Sequence, residues 1–418
     1  MDFMPFYNIK RGGKIRGDTD FMKKGRKIMQ CCFAVSILAI MVTLCILNIS
    51  RFYDILMKNL SDMKQNTEAE YKETFASVEQ DFQENMRGRR SMINVYGLYQ
   101  RAIDHMIIND FEYVADDYGI IHMINDKEEE SVDHFVGEME KLQQCADKRQ
   151  IPLVYVQAPN REIVNKGSVI EKFNTDDNVT DQIVSQLNKK GISILDLRTK
   201  LQNTKDSGIR LEDLYLHTDR HMQTDAEIWM GNQVARYLQD NLSITIANKE
   251  YLSDMNLYDK KTYPMLGNYG RAVGKYFVGL DEFDIYYPKF DTDLEFSLPG
   301  REECNRQGEF EQVVLTGYQK VPYDEDTYWV TNFGAFTEPY YKYTNNKQAE
   351  TKLLIISDSI PYRAFSYLLL TVHEIDILDS RYFDGTDYLS MALEEDYDAI
   401  IVWQGLYLID TDIVKQIE

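Results

Sequence analysis

The apolar residues of this chain fall into stretches of different period, and each period predicts a different element. Residues 28–49, IMQCCFAVSILAIMVTLCILNI, contain no charged side chain over 22 positions, and as a helix they span roughly 33 Å, enough to cross a bilayer. A cleaved signal peptide has a shorter apolar region of roughly 7–15 residues followed by small residues. Neither feature is clear here, so the run reads as an uncleaved transmembrane helix over residues 28–50. From 51 to 90 the chain is polar, Pro-free and Gly-free until Gly88, with Phe52, Leu56, Leu60 and Met63 at loose helical spacing; this predicts a helical stalk that lifts the remainder off the membrane. Residues 91–150 are mixed and end in the amphipathic stretch VDHFVGEMEKLQQCADKRQ.

An α/β rhythm follows. IPLVYVQ (151–157) and ISILDLR (192–198) are strand-like runs on either side of VTDQIVSQLNKKG (179–191), a helix pattern that stops at Gly191 after two lysines. Strand, helix, strand implies a parallel crossover. HTDRHMQTDAEIWMGNQVARYLQD (217–240) ends in another helix, and KLLIIS (352–357), EIDIL (374–378) and DAIIVW (398–403) are three more apolar runs. About five buried strands with intervening helices predict a doubly wound parallel sheet, whose ligands lie at the carboxyl ends of the strands. Residues 250–350, rich in Tyr, Gly and Asp with alternating stretches, break the rhythm and read as a β-rich insertion.

Charge adds a direction. Residues 1–27 hold eight cations against three anions, a net of +5, which leaves −27 on the rest of a chain whose total is −22. The positive-inside rule then keeps residues 1–27 as a cytoplasmic basic tail and sends residues 51–418 outside the plasma membrane. So acidic a domain argues against a nucleic-acid partner. With 44% hydrophobic and 27% charged residues the chain is globular. Three of the five cysteines lie in the span, leaving Cys145 and Cys304 either to form one bridge or to stay as isolated thiols. No spacing resembles a zinc site.

Two short segments carry candidate chemistry. In ISDSI (356–360) Ser359 follows a buried strand and precedes a helix, a place that presents a hydroxyl at the sheet's carboxyl edge and equally suits a helix N-cap. In HTDRH (217–221), Asp219 and His221 offer a carboxylate and a base two residues apart, which a serine nucleophile requires; a solvated turn with Asp219 as a helix cap fits the same letters. A metal site from His217, Asp219 and His221 lacks further His or Cys ligands nearby. Asn160, Arg161 and Gln404 stand just past strands, where they would reach substrate or serve only as solvated loop residues, and Arg381 would do the same or pair with Asp379. The tyrosines of 250–350 suit sugar stacking or plain core packing.

The combination resembles a known family. PLVYVQAPNRE (152–162), ISILDLR (192–198), LYLHTDRHMQTDAE (214–227), LGNYGRAVGKYFVGLDEFDIYYPKFDT (266–292), LLIISDS (353–359) and ILDSRYF (377–383) occur in the order found in SGNH-hydrolase-like proteins of the alginate O-acetyltransferase group. The likeness is greatest to their Gram-positive relatives, the DHHW proteins. It covers roughly residues 92–402, within an extracytoplasmic domain of 91–418. Three positions depart from the family: Asp-His-His-Trp is here Asp219-Arg220-His221-Met222, Gly-Asp-Ser is Ser357-Asp358-Ser359, and Arg161 stands where relatives often have Lys.

The resemblance implies Ser359 as nucleophile, His221 as general base and acid, Asp219 as its orienting partner, and the Ser359 N–H as an oxyanion donor. It implies no cofactor. The activity it implies is O-acetylation of a cell-surface or cell-wall polysaccharide in a bacterial envelope. Coenzyme A has no expected supply outside the cell, so the acetyl donor would come from a membrane-bound acyl-transfer partner. An acetyl esterase shares the same acyl-serine, and an inactive polysaccharide-binding scaffold is a reading of another class.

Overall fold

The uncharged run lies within one long helix, α1 (Asp18–Ser61), of 44 residues. The computed structural model describes residues 18–61, 68–108, 112–116, 118–124, 130–161, 176–201, 208–315, 338–383 and 386–404. The basic residues before 18, Met63 and residues 316–337 of the expected insertion lie outside them. The chain divides into two units, Met1–Met92 and Ile93–Glu418. In the first, α1 carries the candidate membrane span, and its apolar side chains from Ile28 to Ile49 are almost all exposed. The expected stalk is a hairpin, because α2 (Glu68–Asn85) runs back along α1. Asn59 Nδ2 donates to Asp81 Oδ2 at 3.0 Å, the rings of Phe52 and Phe82 meet edge-on at 5.3 Å, and Arg51 Nη1 donates to the Asn85 carbonyl at 2.8 Å. Asn48 closes the hairpin with two bonds to the Arg87 backbone. The loose apolar spacing of 51–90 thus serves helix-on-helix packing.

The second unit is built on strands β1 (Ile107–Ile108), β2 (Tyr113–Ala115), β3 (Ile121–Met123), β4 (Leu153–Gln157), β5 (Ser193–Asp196), β6 (Tyr258–Met265), β7 (Asp281–Pro288), β8 (Leu294–Ser297), β9 (Arg306–Gly308), β10 (Tyr340–Asn345), β11 (Lys352–Ser357), β12 (Glu374–Asp379) and β13 (Ala399–Gln404). β1–β2–β3 form a small sheet and β6–β7 a separate hairpin; the rest make one eight-stranded sheet in the order β5-β4-β13-β11-β12-β10-β8-β9. The first five are parallel, as the apolar runs predict. β10, β8 and β9, drawn from the supposed insertion, extend the sheet antiparallel.

Successive residues of a strand face opposite sides of a sheet, so a strand covered on both faces reads as an unbroken apolar run. β11 shows this. Leu353 and Ile355 join the core under helix α5 (Thr224–Leu242), whereas Leu354 and Ile356 join the opposite core with α3 (Glu130–Arg149) and α4 (Asp176–Lys189). Gly191 ends the α4 segment with φ +77°, the left-handed conformation that a helix C-terminus favours in glycine. Cys145 and Cys304 are free thiols packed against different cores. The tyrosines of the expected insertion are mostly core: Tyr258 meets Tyr286, Phe290 and Tyr367 edge-on, and Tyr341 is wholly buried.

Candidate active site

β11 sits mid-sheet, with its chain-following neighbours β12 and β13 on opposite sides. The carboxyl end of such a strand opens a crevice between diverging connections. Ser359 lies two residues past β11 and just ahead of helix α7 (Tyr362–Leu368), while a short helix α6 (Asn268–Val273) comes earlier in the chain, after β6. Asp358 fixes this turn by accepting the Ile360 N–H at 2.7 Å. Burial raises its carboxyl to about 6, against the pull of that N–H and of Arg381. Ser357 is wholly buried, and its hydroxyl has no hydrogen-bond partner among the described residues.

Asp219 and His221 come from a tight loop closed by a Tyr215–Met222 bridge and by the bond from Gln223 N to the Leu214 carbonyl. Asp281, at the start of β7, accepts from His217 N, Thr218 N and Thr218 Oγ1. Thr218 Oγ1 in turn accepts the Gly267 N–H at 2.8 Å. A Cβ on Gly267 would strike Asp219 and the Thr218 carbonyl, so only glycine allows this approach. The approach brings Asn268 N to 2.8 Å from Asp219 Oδ2.

The structure brings the three residues together. His221 Nδ1 is 2.5 Å from Asp219 Oδ1, and His221 Nε2 is 3.2 Å from Ser359 Oγ. Asp219 is fully buried and its two oxygens take three contacts: the His221 ring, the His221 N–H and the Asn268 N–H. Burial by itself would raise this carboxyl, but the facing imidazole and the two backbone donors outweigh it and hold Asp219 well below the usual carboxylate range. His221 is lowered by burial, with Arg363 and Arg220 adding to the effect and Asp219 opposing it. A neutral imidazole whose Nδ1–H points at Asp219 leaves Nε2 as the acceptor for the serine proton.

The other expected residues are placed differently. Arg161 is buried beneath the Asp219 loop, bonding the carbonyls of Asp219, Leu216 and His217 between the rings of Tyr215 and Tyr269. Asn160 donates to Thr180 Oγ1 at 2.9 Å, on α4. Arg381 grips Asp379 with two nitrogens, at 2.9 and 2.6 Å, and donates to Tyr362 OH at 2.8 Å, so the pairing with Asp379 is the one realised. Gln404 ends β13 opposite Gln157, and its side chain lies outside the described residues. Among the described residues, the acidic group Glu374, Asp376 and Glu395 has metal-like spacing, but the ammonium groups of Lys342 and Lys352 thread it.

Sequence reasoning missed a second link between the two halves of the site. Glu227 on α5 accepts from the Arg363 and Ala364 N–H groups at the start of α7 and pairs with the Arg363 guanidinium, which also donates to the Met222 carbonyl at 2.7 Å. Both side chains are almost completely buried. The pair ties the residue after His221 to the helix after Ser359. Asp281, Gly267, Asn268 and Glu227 stand in segments that carry the family resemblance, which was the available signal; Arg363 had none.

No protein-family model and no curated protein matches the sequence. Solved structures do. PatB1 of Bacillus cereus superposes with a TM-score of 0.55 at 14% identity, covering 71% of this chain and 96% of that one. A second structure of PatB1, with a sulfonyl adduct, gives 0.55 at 13% over 70% and 93%. A DHHW family protein of Eubacterium siraeum gives 0.51 at 13% over 71% and 91%. The chain thus shares its α/β fold with PatB1 and with this DHHW family protein.

Proposed function

We propose that this chain is a membrane-anchored, extracytoplasmic O-acyltransferase, specifically an O-acetyltransferase of a cell-surface polysaccharide, with Ser359 as nucleophile, His221 as base and acid, and Asp219 as the group that orients His221. The observation that carries this reading is the unbroken chain of contacts from Ser359 Oγ through the His221 ring to Asp219. In the first half-reaction the Ser359 proton passes to His221 Nε2, Oγ bonds the acyl carbon, and the leaving group departs with that proton. In the second, His221 takes a proton from a sugar hydroxyl, whose oxygen displaces Ser359 from the acyl carbon. The Ser359 N–H serves the oxyanion. α1 anchors the chain with residues 1–27 inside, and the acetyl donor is supplied by a membrane-bound acyl-transfer partner.

Full-length chain in detergent, mixed with p-nitrophenyl acetate, tests this directly. A burst of nitrophenolate that disappears in Ser359→Ala supports an acyl-serine enzyme; equal traces from both proteins refute it. Adding an oligosaccharide and weighing the products then separates the reading from an esterase: acetylated sugar supports transfer, and free acetate alone sinks it.

A further inference from the structure

Arg220 stands between Asp219 and His221 in the chain, and its Nη2 lies 3.4 Å from Ser359 Oγ. It is half-buried on a loop held in place by Asp281, Gly267 and Arg161. Its charge is felt on both sides of the nucleophile. With burial and Arg363 it favours neutral His221, and with the Ile360 N–H and Arg381 it counters the rise that burial imposes on Asp358. Because Nε2 of a neutral imidazole accepts the serine proton, the lone pairs of Oγ are left for the guanidinium. The neighbouring arginines are engaged elsewhere: Arg161 holds carbonyls, Arg363 holds Glu227 and Arg381 holds Asp379.

We infer that Arg220 is a catalytic residue of this site, whose guanidinium donates to Ser359 Oγ at rest and to the oxyanion of the tetrahedral adduct once an acyl carbon is bonded to Oγ. This rests on the acyl-serine reading above. As the Oγ–C bond forms and the Oγ proton moves to His221 Nε2, the carbonyl π pair moves onto oxygen. That oxygen is bonded to the same carbon as Oγ, so a fork of N–H donors already beside Oγ reaches it. When the adduct collapses, the pair returns to the C=O bond and the leaving oxygen takes the proton from Nε2. Arginine keeps its charge at every working pH, unlike the histidine of the related motif. The fit is to neutral carboxylic esters, whose only developing charge is that oxyanion.

The test uses full-length chain in detergent and p-nitrophenyl acetate, with acylation of Ser359 followed by burst rate and by intact mass. Arg220→Gln is expected to acylate about 100-fold more slowly, the loss typical of one oxyanion donor. Arg220→Lys keeps the cation and is expected to stay within about tenfold of wild type. The acid limb of the rate profile should move to higher pH in Arg220→Gln, because a cation beside His221 is gone, a change that a purely structural role would not produce. Two results overturn the inference alone: Arg220→Gln within about threefold of a wild type that does acylate, or Arg220→Lys as slow as Arg220→Gln. A wild type that never acylates overturns the underlying reading, and this inference with it.

Discussion

Breaking the Glu227–Arg363 link one side at a time should cost far more than removing it whole. Both groups are nearly inaccessible, 1% and 4% exposed at the side chain, and each satisfies the other and a backbone group beyond it. Removing one partner of such a pair strands a buried charge and costs about 3–5 kcal/mol, whereas replacing both with apolar or neutral groups of similar volume is often close to neutral. The two single losses are not equivalent. Arg363 cannot shed its proton, so Glu227→Gln leaves a permanent buried cation. Glu227 escapes by taking up a proton, since burial already raises it to about 7 despite Arg363.

Arg363→Met should therefore be the milder change, and its penalty should depend on pH. A carboxyl whose folded value lies above its unfolded value near 4.5 contributes stability at low pH and loses it as pH rises through the folded value. Removing Arg363 raises the folded value further, so wild type and variant lose stability in parallel up to about pH 7, and the Arg363→Met penalty should grow only above it, by at most about 1.4 kcal/mol per pH unit. Urea unfolding of the full chain in detergent, followed by near-UV circular dichroism at pH 5.5 and 8, measures all three variants. Singles within about 1 kcal/mol of wild type, or a Glu227→Gln, Arg363→Met double variant as unstable as the two singles summed, would refute the reasoning.

Gly267→Ala should slow Ser359 acylation at least tenfold while leaving the chain folded, because the new methyl pushes Asp219 off the Asn268 N–H; burst kinetics with circular dichroism read both. Asp281→Ala removes the acceptor of three donors, two of them buried, and should destabilise the domain by about 2–4 kcal/mol, measured by urea unfolding. Ser357→Ala deletes a hydroxyl that pairs with none of the described residues and should stabilise the domain by up to about 1 kcal/mol in urea unfolding, without slowing acylation. The acylation rate needs neutral His221, so in wild type it should hold from neutral pH down past the ordinary histidine value near 6.5 and fall only in more acid solution.

What the sequence displayed follows from what local pattern encodes. Four of the five parallel strands were legible because they are covered on both faces and so appear as apolar runs, as in Leu353–Ile356, while β5, at the sheet edge, is only partly buried and was legible from its place after a helix pattern. β8, β9 and β10 alternate with polar residues, the mark of strands without that double cover, and nothing local says that they join the same sheet. Residues 51–90 read as a helical stalk, and the return of α2 along α1 was not legible, because an amphipathic period fixes a buried face and not its partner. The candidate triad was legible as two short motifs whose residue types suit one chemistry. Asn160, Arg161 and Arg381 were correctly put at strand ends, but whether a guanidinium faces solvent or three carbonyls is decided by segments more than 50 residues away in the chain.

The account rests on a serine made reactive by an imidazole brought to it from 138 residues away. Treating the full-length chain with phenylmethanesulfonyl fluoride and mapping the modified peptide by mass spectrometry tests this most directly. The prediction is one sulfonyl group per chain, on Ser359, abolished by His221→Ala and strongly slowed by Asp219→Asn. Sulfonylation scattered over other residues, or labelling of Ser359 that proceeds unchanged without His221, would contradict it.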